Sequence, residues 1–259
     1  MLRVDDTSSP AIERLQDVLD QGLDWMARWR VLSAWLMPQP RVPGLRIAIA
    51  PLLPGNPELA GELYRNRFAL AGSDASGGTG SIFVLPPPSE AWARELHNFS
   101  WLPHLAAGGL EMHRAFARTI IGEWIARGRG HPRLARQTSV RAHRLKTMVQ
   151  CAPFLLTGAT ESFREQFFRL LARDTVALSV ASPRGNARLP VAIALAHATT
   201  SLVGLEGLRP GAFERLELEL GSQVLADGGH ASRNPARLLA QWSATLAQHR
   251  LRTAWRRHP

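Results

Sequence analysis

Apolar side chains recur at helical spacing across residues 10–36: Ile12, Leu15, Val18, Leu19, Leu23, Trp25, Met26, Trp29, Val31, Leu32 and Trp35. Ser8-Ser9-Pro10 offers a cap and a first-turn proline, so the spacing predicts one amphipathic helix within 1–37, its tryptophans acting as packing anchors. From Pro38 to Pro88 prolines and glycines break the pattern. The runs Leu45–Ala50 and Arg67–Gly72 read as short strands or extended pieces, and Gly72–Gly80 as a turn or loop. The glycines there do not form a phosphate loop, because no Gly-Lys-Ser/Thr follows and no helix starts behind the last of them. Beyond Ser89 the pattern is helical, with windows at about 89–106, 109–128, 138–152, 160–181, 188–204, 210–226 and 235–253. Short loops between helices of this length require antiparallel hairpins. Their spacing, near forty residues, has the length of a helical repeat, yet no sequence signature recurs, and a closed or partly closed ring fits equally well. The chain therefore reads as one mainly α domain over 1–259, with a Pro/Gly-rich segment at 38–88 that carries short extended or β structure near 45–85.

Composition narrows the chemistry. The 45% hydrophobic and 20% charged content is that of a globular protein. No run of about 18 apolar residues suggests a membrane span. The N-terminus reaches Asp5 and Asp6 before any apolar stretch, so it lacks a secretory pattern and reads as cytoplasmic; a chain trimmed of its leader would read the same and belong to the periplasm. Cys151 is the single cysteine, which excludes an internal disulfide and a Cys-rich zinc site. The histidines are scattered without His-Glu-x-x-His, so no metal is expected.

The net charge of +10 favours an acidic partner: nucleic acid, an anionic membrane surface or a polyanionic polysaccharide. Lys146 is the single lysine, a skew that GC-rich codon usage explains, although arginine does suit bidentate contact with carboxylate, sulfate or phosphate. The densest basic segment holds Arg127, Arg129, His131, Arg133, Arg136, Arg141, His143, Arg144 and Lys146. Nucleic acid is disfavoured, since no aromatics interleave with these residues and no recognition motif is present. A solvated basic surface without a specific ligand is the plain alternative.

Polar chemistry is most concentrated in Asp227-Gly228-Gly229-His230-Ala231-Ser232-Arg233-Asn234-Pro235. His230, Ser232, Arg233 and Asn234 share one inter-helix turn beside the start of a helix, a plausible cradle for carboxylate or sulfate. Helix capping by Asp227 and Asn234 explains the same residues equally well. A second constellation, Trp101 and His104 flanked by His97 and Asn98, reads as a sugar-stacking ring with polar neighbours or as core.

The run Asp227–Pro235, together with Ala69–Gly72, Pro87–Trp92, Phe99–Leu105 and Leu189–Ala196, resembles the N-terminal helical portion of bacterial heparinase II/III family proteins over about Arg65 to Arg250. The resemblance implies an incomplete α/α toroid followed by antiparallel β-sheets, with a uronic-acid polysaccharide held between them for β-elimination. In that reaction a hydrogen-bonding or positive group neutralises the uronate carboxylate, a base removes the C5 proton and an acid protonates the leaving oxygen. No cofactor is implied. His230 would be the catalytic residue, with Ser232, Arg233, Asn234, Trp101 and His104 binding substrate.

The sequence departs from the family at three places. Pro235-Ala236-Arg237-Leu238-Leu239 stands where active lyases place a tyrosine, and the sole tyrosine, Tyr64, lies far upstream. Ala194-Leu195-Ala196-His197 supplies a histidine with no preceding asparagine. The β-sheet half would follow Pro259. The expected function is thus the helical half of a polysaccharide lyase, inactive in isolation and partnered by an acidic polysaccharide and a C-terminal β-sheet domain. A non-catalytic module that binds a polyanion or a protein is the alternative.

Overall fold

The computed structural model describes residues 40–51 and 54–223. The architecture among them is mainly helical: α1 (Glu58–Tyr64), α2 (Glu90–Asn98), α3 (Leu102–Gly108), α4 (Glu111–Arg127), α5 (Thr138–Leu156), α6 (Glu161–Ser179), α7 (Arg188–Ser201) and α8 (Arg209–Gln223). One hairpin, β1 (Arg67–Leu70) and β2 (Ser73–Ser76), precedes α2. From α4 to α8 each helix packs on the next, and α5 also packs on α7, as expected of hairpins in an incomplete α/α toroid. The windows at 1–37 and 235–253 lie outside the described residues.

The inner helices are those whose side chains leave water on nearly every side. α5 buries Val140, Ala142, Leu145, Met148, Val149, Ala152 and Leu155, and α7 is buried almost continuously from Val191 to Thr199. Such all-round burial marks a core helix rather than an amphipathic surface one. α5 touches α2, α3, α4, α6 and α7, so its two long faces decide what the interior can hold.

Three local features differ from the sequence reading, each for a physical reason. The window at 89–106 is two helices. Ser89 caps α2 by accepting from the Trp92 N–H at 3.1 Å, and the helix ends at Phe99 in the left-handed region, held there because the Phe99 ring is fully buried. α5 continues through Pro153 to Leu156. Its last carbonyls are collected by guanidinium groups: Arg118 donates to Leu155 at 2.9 Å and also to Thr157, and Arg164 donates to Leu156 at 3.2 Å. Finally, residues 73–76 form a strand. Ala71 and Gly72 both have positive φ (49° and 76°), the two-residue turn whose twist suits a tight hairpin, and Phe68 and Leu70 point inward while β2 stays polar.

The 45–50 stretch is extended but makes only an isolated bridge, Leu45 to Leu202, with the Arg46 N–H donating to the Ser201 carbonyl at 2.7 Å. Among the described residues it makes no strand pairing beyond this bridge, and Arg46 is also held by an ion pair with Glu206. Gly204 permits this docking: its φ is 89°, and a Cβ there would stand 2.3 Å from the Arg41 carbonyl oxygen. Gly204→Ala is expected to cost about 2 kcal/mol, from the left-handed backbone and the displaced segment, read as a lowered urea midpoint. An unchanged midpoint would show that residues 41–46 do not rest against this turn.

Candidate functional site

The basic segment runs from the end of α4 through the 128–137 turn into α5, and the structure divides it into a buried part and an exposed part. Arg144 is 1% exposed. Its Nε and Nη2 donate to Asp174 Oδ2 on α6 at 3.0 and 2.8 Å, and its Nη1 donates to the carbonyls of His97 and Ala135 at 3.2 and 3.0 Å. The guanidinium lies over the Trp124 ring, 4.5 Å from its centroid, a favourable cation–π placement away from water. Burial of this charge is tolerable because nearly every N–H has an acceptor. Arg144 therefore ties together the end of α2, the 133–136 turn, α4 and α6, and is not available to a polyanion.

Two histidines complete the cluster. His97 Nδ1 accepts from Trp124 Nε1–H at 3.1 Å, and His131 Nε2–H donates to the Trp124 carbonyl at 2.7 Å while its ring stacks on Trp124 at 4.2 Å. Burial, and then repulsion between its protonated form and His131, Arg144 and Arg127, push His97 down to about 3. Burial also lowers His131. Both rings are neutral at physiological pH, and acceptance from an indole N–H fixes the His97 tautomer with its proton on Nε2. This is an architectural network beneath the turn at 127–136, whose outer residues Arg133 and Arg136 are exposed.

The opposite face of α5 lines a groove against α7. Ala142, His143, Lys146, Pro190 and Ile193 line a shallow, partly open groove with room for about one water-sized group. Residues 144 and 146 are about 200° apart around a helix, which is why one cation enters the buried cluster and the other the groove. Lys146 is half-buried, and desolvation lowers its pKa. No carboxylate pairs with it among the described residues. One turn on, the Gln150 amide is 3.4 Å from His197 Nε2, and His197 Nδ1–H donates to the Ile193 carbonyl at 2.9 Å. That bond leaves Nε2 as the acceptor, so Gln150 donates to it. Burial pushes His197 down to about 4.

The residues expected to bind substrate separate. Trp101 is completely buried, its indole N–H donating to the Leu96 carbonyl at 3.1 Å and its ring meeting Phe68 and Phe99 edge-on. Enclosed on all sides, it offers no face to a sugar and belongs to the core. His104 is half-buried and accepts the Asn56 N–H at 2.8 Å, which fastens the 54–57 loop to α3. His230, Ser232, Arg233 and Asn234 lie outside the described residues. Tyr64 packs edge-on against Phe116 and beside His113, in a setting built by α1 and α4 rather than α7. Among the described residues no group of three or more His, Cys, Asp or Glu side chains converges as a metal site, and no helix is long and apolar enough to cross a membrane. Sequence reasoning missed the Lys146–Gln150–His197 grouping. Its signals were the singularity of the lysine and a histidine within an otherwise apolar helix.

No family model matches the chain. It is 32% identical over 164 residues to FtsZ-localized protein C of Caulobacter vibrioides, a stretch that covers 60% of this chain and 27% of that protein. Among solved structures it is similar to heparan sulfate lyase HepC from Pedobacter heparinus, with a TM-score of 0.61 and 15% identity over 93% of this chain and 42% of the lyase. A heparinase III structure gives a TM-score of 0.59 at 18% identity, covering 92% of this chain and 42% of that one. The helical fold is thus heparinase-like. The chain spans about a quarter of the curated relative's length and about two fifths of each of these solved chains.

Proposed function

We propose that this chain is the helical half of a heparinase-like protein and binds an acidic, uronate-containing polysaccharide, with β-elimination requiring groups beyond those described. The observation that carries the reading is the turn between α4 and α5. Arg127 and Arg133 stand on it without a carboxylate partner among the described residues, since the nearby acid, Asp174, is engaged by Arg144 and, at 3.5 Å, Arg141. The buried network holds this basic turn in place, and a rigid array of guanidinium groups suits carboxylate and sulfate. The heparinase-like fold and the net charge of +10 point the same way.

The chain should be retained on immobilised heparan sulfate and eluted by salt, and the Arg127→Ala/Arg133→Ala double variant should elute at clearly lower salt. A wild type that passes through unretained, or a folded variant that elutes with it, would overturn the reading. No unsaturated uronate should appear by ultraviolet absorbance when the isolated chain meets the polymer.

A second reading, a protein-binding module, is favoured by one observation. The relative with the higher identity, 32% against 15–18%, is an FtsZ-localized protein. Co-sedimentation with FtsZ polymers by a chain that ignores heparan sulfate would establish it in place of the first.

A further inference from the structure

We propose that residues 45–49 form an open strand edge on which a second copy of this chain pairs antiparallel, with Ile47 on the two-fold axis. The bridge at Leu45 fixes which way the backbone faces. The Gly44 carbonyl accepts from the Val203 N–H at 3.1 Å, and the Arg46 N–H donates to the Ser201 carbonyl at 2.7 Å, so residues 44 and 46 turn their backbone groups toward the end of α7. In an extended chain each next residue turns the other way. Leu45, Ile47 and Ile49 therefore present their N–H and C=O groups to the opposite edge, where none of these groups has a hydrogen-bond partner among the described residues. Leu45 and Ile47 are half-buried and Ala48 and Ala50 exposed, so the strand lies at the surface. A row of unpaired backbone groups is a template for another strand. The usual guards are missing: no proline or lysine stands between Leu45 and Ala50, and the one charge, on Arg46, is ion-paired with Glu206.

The segment's own sequence selects the occupant and the register. Centred on Ile47, an antiparallel pair sets Leu45 against the partner's Ile49 and Ile47 against the partner's Ile47, so every outward N–H and C=O is satisfied. The side chains of these pairs fall on one face, where apolar cross-strand contacts add stability. On the other face Arg46 stands opposite the partner's Ala48, not opposite a second arginine. Centred one residue earlier, Arg46 would face the partner's Arg46 and Ile49 would meet the partner's Pro43; centred one residue later, Leu45 would meet the partner's Pro51. Proline has no N–H to give, so both alternatives lose bonds that the Ile47-centred pair makes. A pairing strand this short holds weakly, and each copy carries a net charge of +10. Association should therefore strengthen as salt screens the repulsion, the reverse of what glycan binding does. The pairing does not depend on the proposed function, since the edge contains no residue of the 127–136 turn.

Residue-resolved hydrogen exchange on the unmodified full chain tests the edge. Between dilute and concentrated protein the amides of Leu45, Ile47 and Ile49 should slow by about tenfold, the effect of roughly one net hydrogen bond, while the Arg46 amide, already bonded to Ser201, changes far less. Cysteine crosslinking tests the register. The one native thiol, Cys151, is buried. In the Ile47-centred pair the two Cα atoms at position 47 stand about 5.5 Å apart, within disulfide reach. Ile47→Cys should therefore form a dimeric disulfide under glutathione oxidation several-fold faster than Ala48→Cys, although position 48 is the more exposed. Exchange rates that do not change with concentration would overturn the self-pairing edge. Crosslinking of Ala48→Cys as fast as that of Ile47→Cys would overturn the Ile47-centred register. Protection of the three amides that appears only when FtsZ is added would assign the edge to a foreign strand and overturn pairing between copies.

Discussion

Asp174→Ala is expected to lose about 3–5 kcal/mol of stability, because it strands a buried guanidinium. Arg144 sends two of its N–H groups to Asp174 Oδ2 and has no water to replace them, being 1% exposed. Its remaining bonds, to the carbonyls of His97 and Ala135, hold the end of α2 and the 133–136 turn, so the loss should extend beyond α6. Arg144→Met together with Asp174→Leu removes both charges and should be much less damaging than either single change. Urea midpoints of the three variants test this. A single variant within about 1 kcal/mol of wild type would show that the charge pair is not the pillar of this cluster.

Acid should weaken the fold through its buried imidazoles. His97 and His197 ionise near 6.5 when unfolded but only at about 3 and about 4 in the folded chain. Above pH 6.5 both states leave them neutral, and their contribution does not vary. Between that value and the folded pKa values the unfolded chain takes up protons that the folded chain refuses, so stability falls by about 1.4 kcal/mol per pH unit for each ring. Together they should remove about 4 kcal/mol between about pH 6.5 and about pH 5. The cause is geometric as well as dielectric. A proton on His97 Nδ1 would face the Trp124 N–H that it now accepts, and one on His197 Nε2 would face the Gln150 amide. His197→Gln should flatten the dependence by about half. Urea unfolding that is independent of pH across this interval would contradict the burial of both rings.

The helical windows of α4 to α8 were legible because they are long apolar-rich runs bounded by glycine and proline breaks, and their ends carry ordinary signals such as Thr160, which caps α6. Other features depend on partners distant in sequence. Nothing near Pro153 announces that Arg118, far upstream, will collect the carbonyls beyond it. The break at Phe99 depends on a ring sunk among Trp101 and Trp124. Arg144 looked like one more member of a basic stretch, and its pairing with Asp174 spans thirty residues, beyond the reach of any local pattern. Trp101 followed its hydrophobic tendency, and His104 bonds a loop that composition alone could not place beside it. The groove was half-legible. The solitary lysine and His197 stand out in the sequence, but only the packing of α5 on α7 brings them to one place.

Calorimetric titration of the intact chain with heparan sulfate, repeated at rising salt and against a neutral glycan, tests the central claim most directly. The account predicts binding to heparan sulfate that weakens steadily as screening increases, with no heat from the neutral polymer. Absence of binding at low salt, or equal binding of both polymers, would contradict it.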